Sequence, residues 1–276
     1  MMDATCSVSP ATEPVMASAR DFLVRGLLAG LVAGLVAFGV AYVVGEPSIN
    51  AAIAIEELGG SGHDHADESA SSDDSAAIEV PRSLQSTVGL LTGTTVAGVT
   101  LGGLVGVLSA LSLGRLGRLG VRGVSLSLAS MGFVSVSLMP FLAYPPNPPA
   151  VGQAETIGTR TALYFILVAI SIIAAVTAVL LGRWLAARGN PWYAMLSAIL
   201  GYLGVTVIAI ALLPSYSEVP ADFPATVLYE FRVASLATQL ALWATLGVTL
   251  GELLYRLQHH ADPRVAEPEY ADRLRT

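Results

Sequence analysis

Residues 161–181 read TALYFILVAISIIAAVTAVLL, a run without a single charge. A helix needs ~20 apolar residues to cross the ~30 Å hydrocarbon core of a bilayer, and this run supplies them without the one-sided polar face of a surface helix. Five further segments match it in length and character, at 24–44, 88–111, 124–143, 192–213 and 233–254. With no water to satisfy the backbone, each must close its own hydrogen bonds, and the period-2 alternation of a membrane barrel is missing. The sequence predicts an all-α fold: a polytopic membrane bundle of six transmembrane helices.

Composition agrees. Hydrophobic residues make up 54% of the 276 and charged residues 13%, against about 25% charged in ordinary soluble domains; mean hydropathy is +0.66. A soluble enzyme is a poor reading. The net charge of −7, with its cations scattered between apolar runs, also excludes a nucleic-acid partner, whose phosphates need clustered cations. All 14 basic residues are arginines. Without lysine there is no Walker A phosphate loop, no Schiff base and no serine-lysine dyad. The single cysteine, Cys6, closes no intrachain disulfide.

Arginines also predict orientation, because short cytoplasmic loops retain positive charge. Eleven of them (Arg20, Arg25, Arg115, Arg118, Arg122, Arg183, Arg188, Arg256, Arg264, Arg273 and Arg275) fall on one side of the spans, and Arg82, Arg160 and Arg232 on the other. Both termini are therefore expected in the cytoplasm of a prokaryotic, multi-pass cell-membrane protein. Residues 1–19 read as a disordered tail, 20–256 as the transmembrane domain and 257–276 as a cytoplasmic tail. The first span is too long for a signal-peptide core, and Gly45-Glu46-Pro47 is a poor cleavage site. That tripeptide is read as the end of the first helix, as Leu138-Met139-Pro140 and Leu212-Leu213-Pro214 end the third and fifth.

Residues 45–86 form the first outer loop, acidic and histidine-bearing, with a short interfacial helix expected over 49–58. At its centre His63, Asp64 and His65 supply imidazole and carboxylate donors of the kind borderline divalent cations favour. A solvated acidic loop is the alternative. Gly26, Gly30 and Gly34 in the first span, and Gly98, Gly102 and Gly106 in the second, recur every four residues. Each set lines one helix face, which allows close backbone approach. In the sixth span Ser235, Thr238, Thr245, Thr249 and Glu252 share an arc, with Gln239 on its flank. Polar groups at this depth face protein or water, so the stripe is expected to line either a pathway or a neighbouring helix. At the outer mouth Glu46 and Glu230 are the expected partners of Arg82, Arg160 and Arg232. No aspartate or histidine lies within a span, which removes the usual intramembrane catalytic pairs and argues against an enzyme.

The run Met139-Pro140-Phe141-Leu142-Ala143-Tyr144-Pro145-Pro146-Asn147-Pro148-Pro149-Ala150-Val151-Gly152, followed by Thr159-Arg160-Thr161, resembles the CbtA family of cobalt transporter subunits. Arg25-Gly26-Leu27-Leu28-Ala29-Gly30, Gly45-Glu46-Pro47 and the stretch from Leu213-Pro214 to Phe223-Pro224 extend the likeness over about 20–255. The resemblance implies cobalt uptake connected with cobalamin synthesis, and a small single-span companion subunit bearing histidines. By position it would carry over Glu46, Tyr144, Asn147, Arg160 and Arg232. The expected function is thus a membrane subunit of a divalent-metal uptake transporter, cobalt first, with no ATPase of its own. The alternative is a non-transporting scaffold or sensor that assembles a partner through the glycine faces. Partners would be the lipid bilayer, the metal ion, the companion and further copies of the chain; Co2+ would be cargo, with no permanently bound cofactor.

Overall fold

The computed structural model describes residues 18–60, 84–115, 119–149, 151–216 and 218–260. Six helices are long and apolar enough to span a membrane: α1 (Ala19–Leu58), α2 (Ser86–Ser112), α3 (Val121–Ala143), α4 (Ile157–Ala186), α5 (Pro191–Leu212) and α6 (Ala225–Gln258). No strand occurs among the described residues. Exposed side chains such as Leu28, Val43, Ile173, Leu180, Val207 and Ile208 cover the outside, a surface suited to lipid and not to water.

Helix α1 starts with a capping box. Ser18 Oγ accepts the Asp21 amide while the Asp21 carboxylate accepts the Ser18 amide at 2.9 Å, an arrangement worth about 1 kcal/mol. The helix does not stop at Gly45-Glu46-Pro47. It passes through a π turn at Ala41–Gly45 and continues as α-helix over Glu46–Gly60, so the short helix expected over 49–58 is the end of α1 itself. Proline breaks a helix by losing an N–H and by pressing its ring on the carbonyl four residues back. For Pro47 that carbonyl belongs to Val43, inside the wider π turn.

Helix α3 repeats the device. Its π segment, Phe133–Leu138, precedes Pro140, and helix resumes over Met139–Ala143. Pro140 has no N–H for Val136, and the Val136 carbonyl instead accepts the Tyr164 hydroxyl of α4 at 3.2 Å. Pro214 alone acts as punctuation, since α5 ends at Leu212. The other boundaries shift slightly: α6 persists as helix to His260, so a tail drawn from 257 begins inside it.

The two glycine faces meet each other. Helices α1 and α2 run antiparallel, and a methyl group on Gly30 would overlap the Gly98 carbonyl oxygen; one on Gly26 would overlap that of Gly102. A Cβ on Gly34 would come within 2.7 Å of the Thr94 oxygen and one on Gly106 within 2.6 Å of the Phe22 oxygen. Backbone touches backbone along the whole seam. These faces are consumed within the chain, which takes from the scaffold alternative the surface it relied on.

Around this pair the core is built by α3 and α6. Phe22, Ala29, Ala33 and Ala37 of α1 pack with Val105, Val121, Ala129 and a ladder on α6 of Leu242, Trp243, Leu246, Leu250 and Leu254. The α4–α5 hairpin leans on α3 through α4, and Ser171 and Tyr202 hydroxyls join its two helices at 2.8 Å. Six antiparallel crossings bring both ends of the described chain to one end of the bundle. There Glu252 bridges Arg122 at 2.5 Å and Arg256 at 2.8 Å, with the Arg122 guanidinium 3.5 Å above the Tyr255 ring.

Candidate functional site

At the opposite end of the bundle lies a cavity of about 710 Å³. The helical irregularities surround it: Ala41 and Gly45 come from the α1 π turn, Ser137 from the α3 π segment, and Leu90 directly follows a third π turn, Gln85–Gly89, where α2 begins. Single π turns place side chains and carbonyls that a regular helix would hide, and they recur at functional sites. Phe141, Tyr144, Pro145, Pro146 and Asn147 close one wall, Arg160, Thr161 and Tyr164 of α4 another. Helix α6 supplies Ser235, Thr238 and Gln239.

The floor is a hydrogen-bonded relay. Trp243, only 3% exposed, donates its indole N–H to Ser137 Oγ at 3.0 Å, and Ser137 donates to Gln239 Oε1 at 3.1 Å. Below Trp243 come the fully buried Leu246, Leu250 and Leu254. The cavity is therefore closed toward the termini and ends halfway through the bundle.

The mouth is a clamp between two loops. Glu218, 7% exposed, takes the Arg160 guanidinium at 2.7 Å, the Gln153 amide at 3.1 Å and the Thr156 hydroxyl at 2.5 Å. The Thr156 hydroxyl, more than the Gln153 amide or the Arg160 charge, holds its carboxyl below the usual range, against the opposing pull of burial. Arg232 is fixed by neutral groups, donating from Nη2 to Asn147 Oδ1 at 3.1 Å and from Nε to the Pro146 carbonyl at 3.4 Å. Burial raises the Tyr144 phenol above its usual value, with Tyr216 adding to the effect; it stays protonated and donates to the Pro214 carbonyl at 2.8 Å.

Of the residues singled out in the sequence, Tyr144, Asn147, Arg160 and Gln239 share this cavity, and Arg232 ties down its wall. Glu46 is 8% exposed, inside α1 beside the wall residue Gly45. Glu230 is exposed and is not the partner of Arg160 or Arg232; Glu218 and Asn147 take those places. Along α6 the lining stops at Gln239. Thr245 and Thr249 are half-buried beside the leucine ladder, and Glu252 sits in the arginine cluster at the far end, so the polar stripe divides and does not form one continuous wall. His63, Asp64, His65 and Arg82 lie outside the described residues. Sequence reading missed Glu218, Trp243 and Tyr164. Only Glu218 had a local signal, as an acid within the Pro214 to Pro224 stretch that the resemblance had marked.

A family model described as CbtA, probable cobalt transporter subunit, matches residues 19–255. The chain belongs to the CbtA family. The match begins with α1 and ends within α6, covering the cavity, the charged clamp at its mouth and all of the opposite cluster but Arg256. CbtA membership together with six apolar helices makes this a multi-pass membrane protein of a transport system, and the word subunit implies a partner. No curated protein and no solved structure matches the chain.

Proposed function

We propose that the chain is the membrane subunit of a cobalt uptake transporter, and that the cavity bounded by π turns is the outer vestibule of its pathway. The observation that carries this reading is the asymmetry of the bundle: a chamber open at one end, its largely apolar wall set with Asn147, Arg160, Ser235, Thr238 and Gln239, and sealed beneath by Trp243 and the leucines. The arginine bias supports a sealed end, with both termini, on the cytoplasmic side. Transport needs the plug to move, and the π turns in α1 and α3 are where those helices can flex. The chain lacks a lysine for a Walker A loop, so the driving energy comes from an ion gradient, the membrane potential or a separate subunit. A single-span companion fits the family description of a subunit. Radiolabelled cobalt uptake into vesicles holding this chain, with and without a companion, tests the reading; no uptake in either case would remove it.

A further inference from the structure

The lining of the cavity is unsuited to a bare metal ion. Its described residues include no carboxylate, imidazole, thiol or thioether, and among all described residues no cluster of three or more His, Cys, Asp or Glu side chains comes together. Ser235 and Thr238 give their hydroxyl protons to the Phe231 and Ala234 carbonyls of their own helix. Neutral oxygens of this kind leave the desolvation of a doubly charged ion uncompensated.

What the cavity offers is donors. An indole nitrogen can only donate, so Ser137 Oγ accepts from Trp243, and Ser137 in turn donates to Gln239 Oε1. The Gln239 carbonyl oxygen is thereby engaged. Gln239 lines the cavity, and its NH2 group has no acceptor among the described residues. At the mouth Arg160 engages Glu218 through Nη1, leaving Nε and Nη2 unengaged, and Arg232 meets only neutral acceptors, so its charge is not cancelled. Arg232 and Gln239 are seven residues apart on one face of α6, roughly 10 Å along the axis. Donors therefore stand at both ends of a chamber that has room for an organic molecule.

Building on the cobalt-uptake reading, we propose that the cavity takes the metal as an anionic, carboxylate-bearing chelate. Acceptor oxygens of the chelate meet the Gln239 amide at the floor and the Arg160 guanidinium at the mouth, with the uncancelled charge of Arg232 behind the Pro146-Asn147 wall. The metal keeps its ligands, so the protein needs none of its own. The full chain in lipid nanodiscs, titrated with equimolar cobalt–citrate, with citrate alone and with cobalt chloride, tests this. Cobalt–citrate should bind saturably and free citrate should compete. Gln239→Leu should weaken binding about tenfold, the loss of one good hydrogen bond to a charged group, and Gln239→Glu, whose carboxylate can still accept from Ser137, should abolish it while unfolding at the wild-type temperature. Cobalt chloride binding that tightens in Gln239→Glu would overturn the proposal, as would no binding of either citrate form. The two readings separate in vesicles. Uptake from cobalt chloride but not from cobalt–citrate leaves transport standing and removes the chelate; binding in nanodiscs without uptake in vesicles does the reverse.

Discussion

The indole nitrogen of Trp243 lies 3.0 Å from Ser137 Oγ, and this contact joins α6 to the π segment of α3 at the floor of the cavity. Gly132, one residue before that segment, makes room for it: a Cβ there would overlap the indole ring. The plug and the irregular turn are thus one mechanical unit.

Replacing Trp243 separates its two roles. Trp243→Phe keeps the ring and loses the donor, so stability should fall by about 1 kcal/mol and the seal should hold. Trp243→Ala should cost about 3–5 kcal/mol and make vesicles leak small ions. Equal leakage from both variants would show that the ring is not the plug.

The glycine seam allows a sharper comparison. Gly30→Ala drives a methyl group into the Gly98 carbonyl, whereas a methyl group on Gly39 meets nothing within 4 Å. Unfolding in detergent should show a loss of about 1–3 kcal/mol for Gly30→Ala and little change for Gly39→Ala. Similar stabilities would mean that α1 and α2 do not approach this closely.

Acid should open the mouth. The Glu218 carboxyl titrates below the usual range in the folded protein, so its contribution is fully present above the unfolded value and is lost as pH falls through the folded one. Protection of the Gln153 amide against hydrogen exchange, corrected for intrinsic rate, should persist through the ordinary glutamate range and collapse only below it. In Glu218→Gln it should be weak and independent of pH. Loss of protection at neutral pH in the unaltered protein would contradict the clamp.

Orientation has its own test. In a Cys6→Ser background, Glu155→Cys in the loop before α4 and Gly189→Cys in the loop after it should react with an impermeant thiol reagent from opposite sides, Glu155→Cys from outside intact cells. Labelling of Gly189→Cys from outside would reverse the proposed direction.

Much of the bundle was legible because burial in lipid imposes one rule on every span, and a 20-residue apolar run obeys it whatever its neighbours. The glycine seam was legible for a similar reason, since a four-residue spacing is a property of one helix. Prolines misled. Pro47 and Pro140 looked like helix ends, yet π turns absorb both, and a π turn leaves no mark in hydrophobic periodicity. Charge partners were harder still. Arg160 pairs with Glu218 across 58 residues, a contact set by how two loops fold back, while Glu230 sits two residues from Arg232 in sequence and leaves its guanidinium to Asn147. The polar stripe on α6 was correct as an arc but not as a wall, because Leu246, Leu250 and Leu254 occupy the inward face below Trp243.

The central claim, that the cavity is the outer part of the transport pathway, meets its most direct test at Ser235, which lines the cavity and is small enough to replace conservatively. Ser235→Cys in the Cys6→Ser background should take up radiolabelled cobalt like the unaltered chain. A bulky impermeant maleimide added outside intact cells should label it and stop that uptake. Labelling that leaves uptake unchanged, or uptake without any accessibility from outside, would contradict the account.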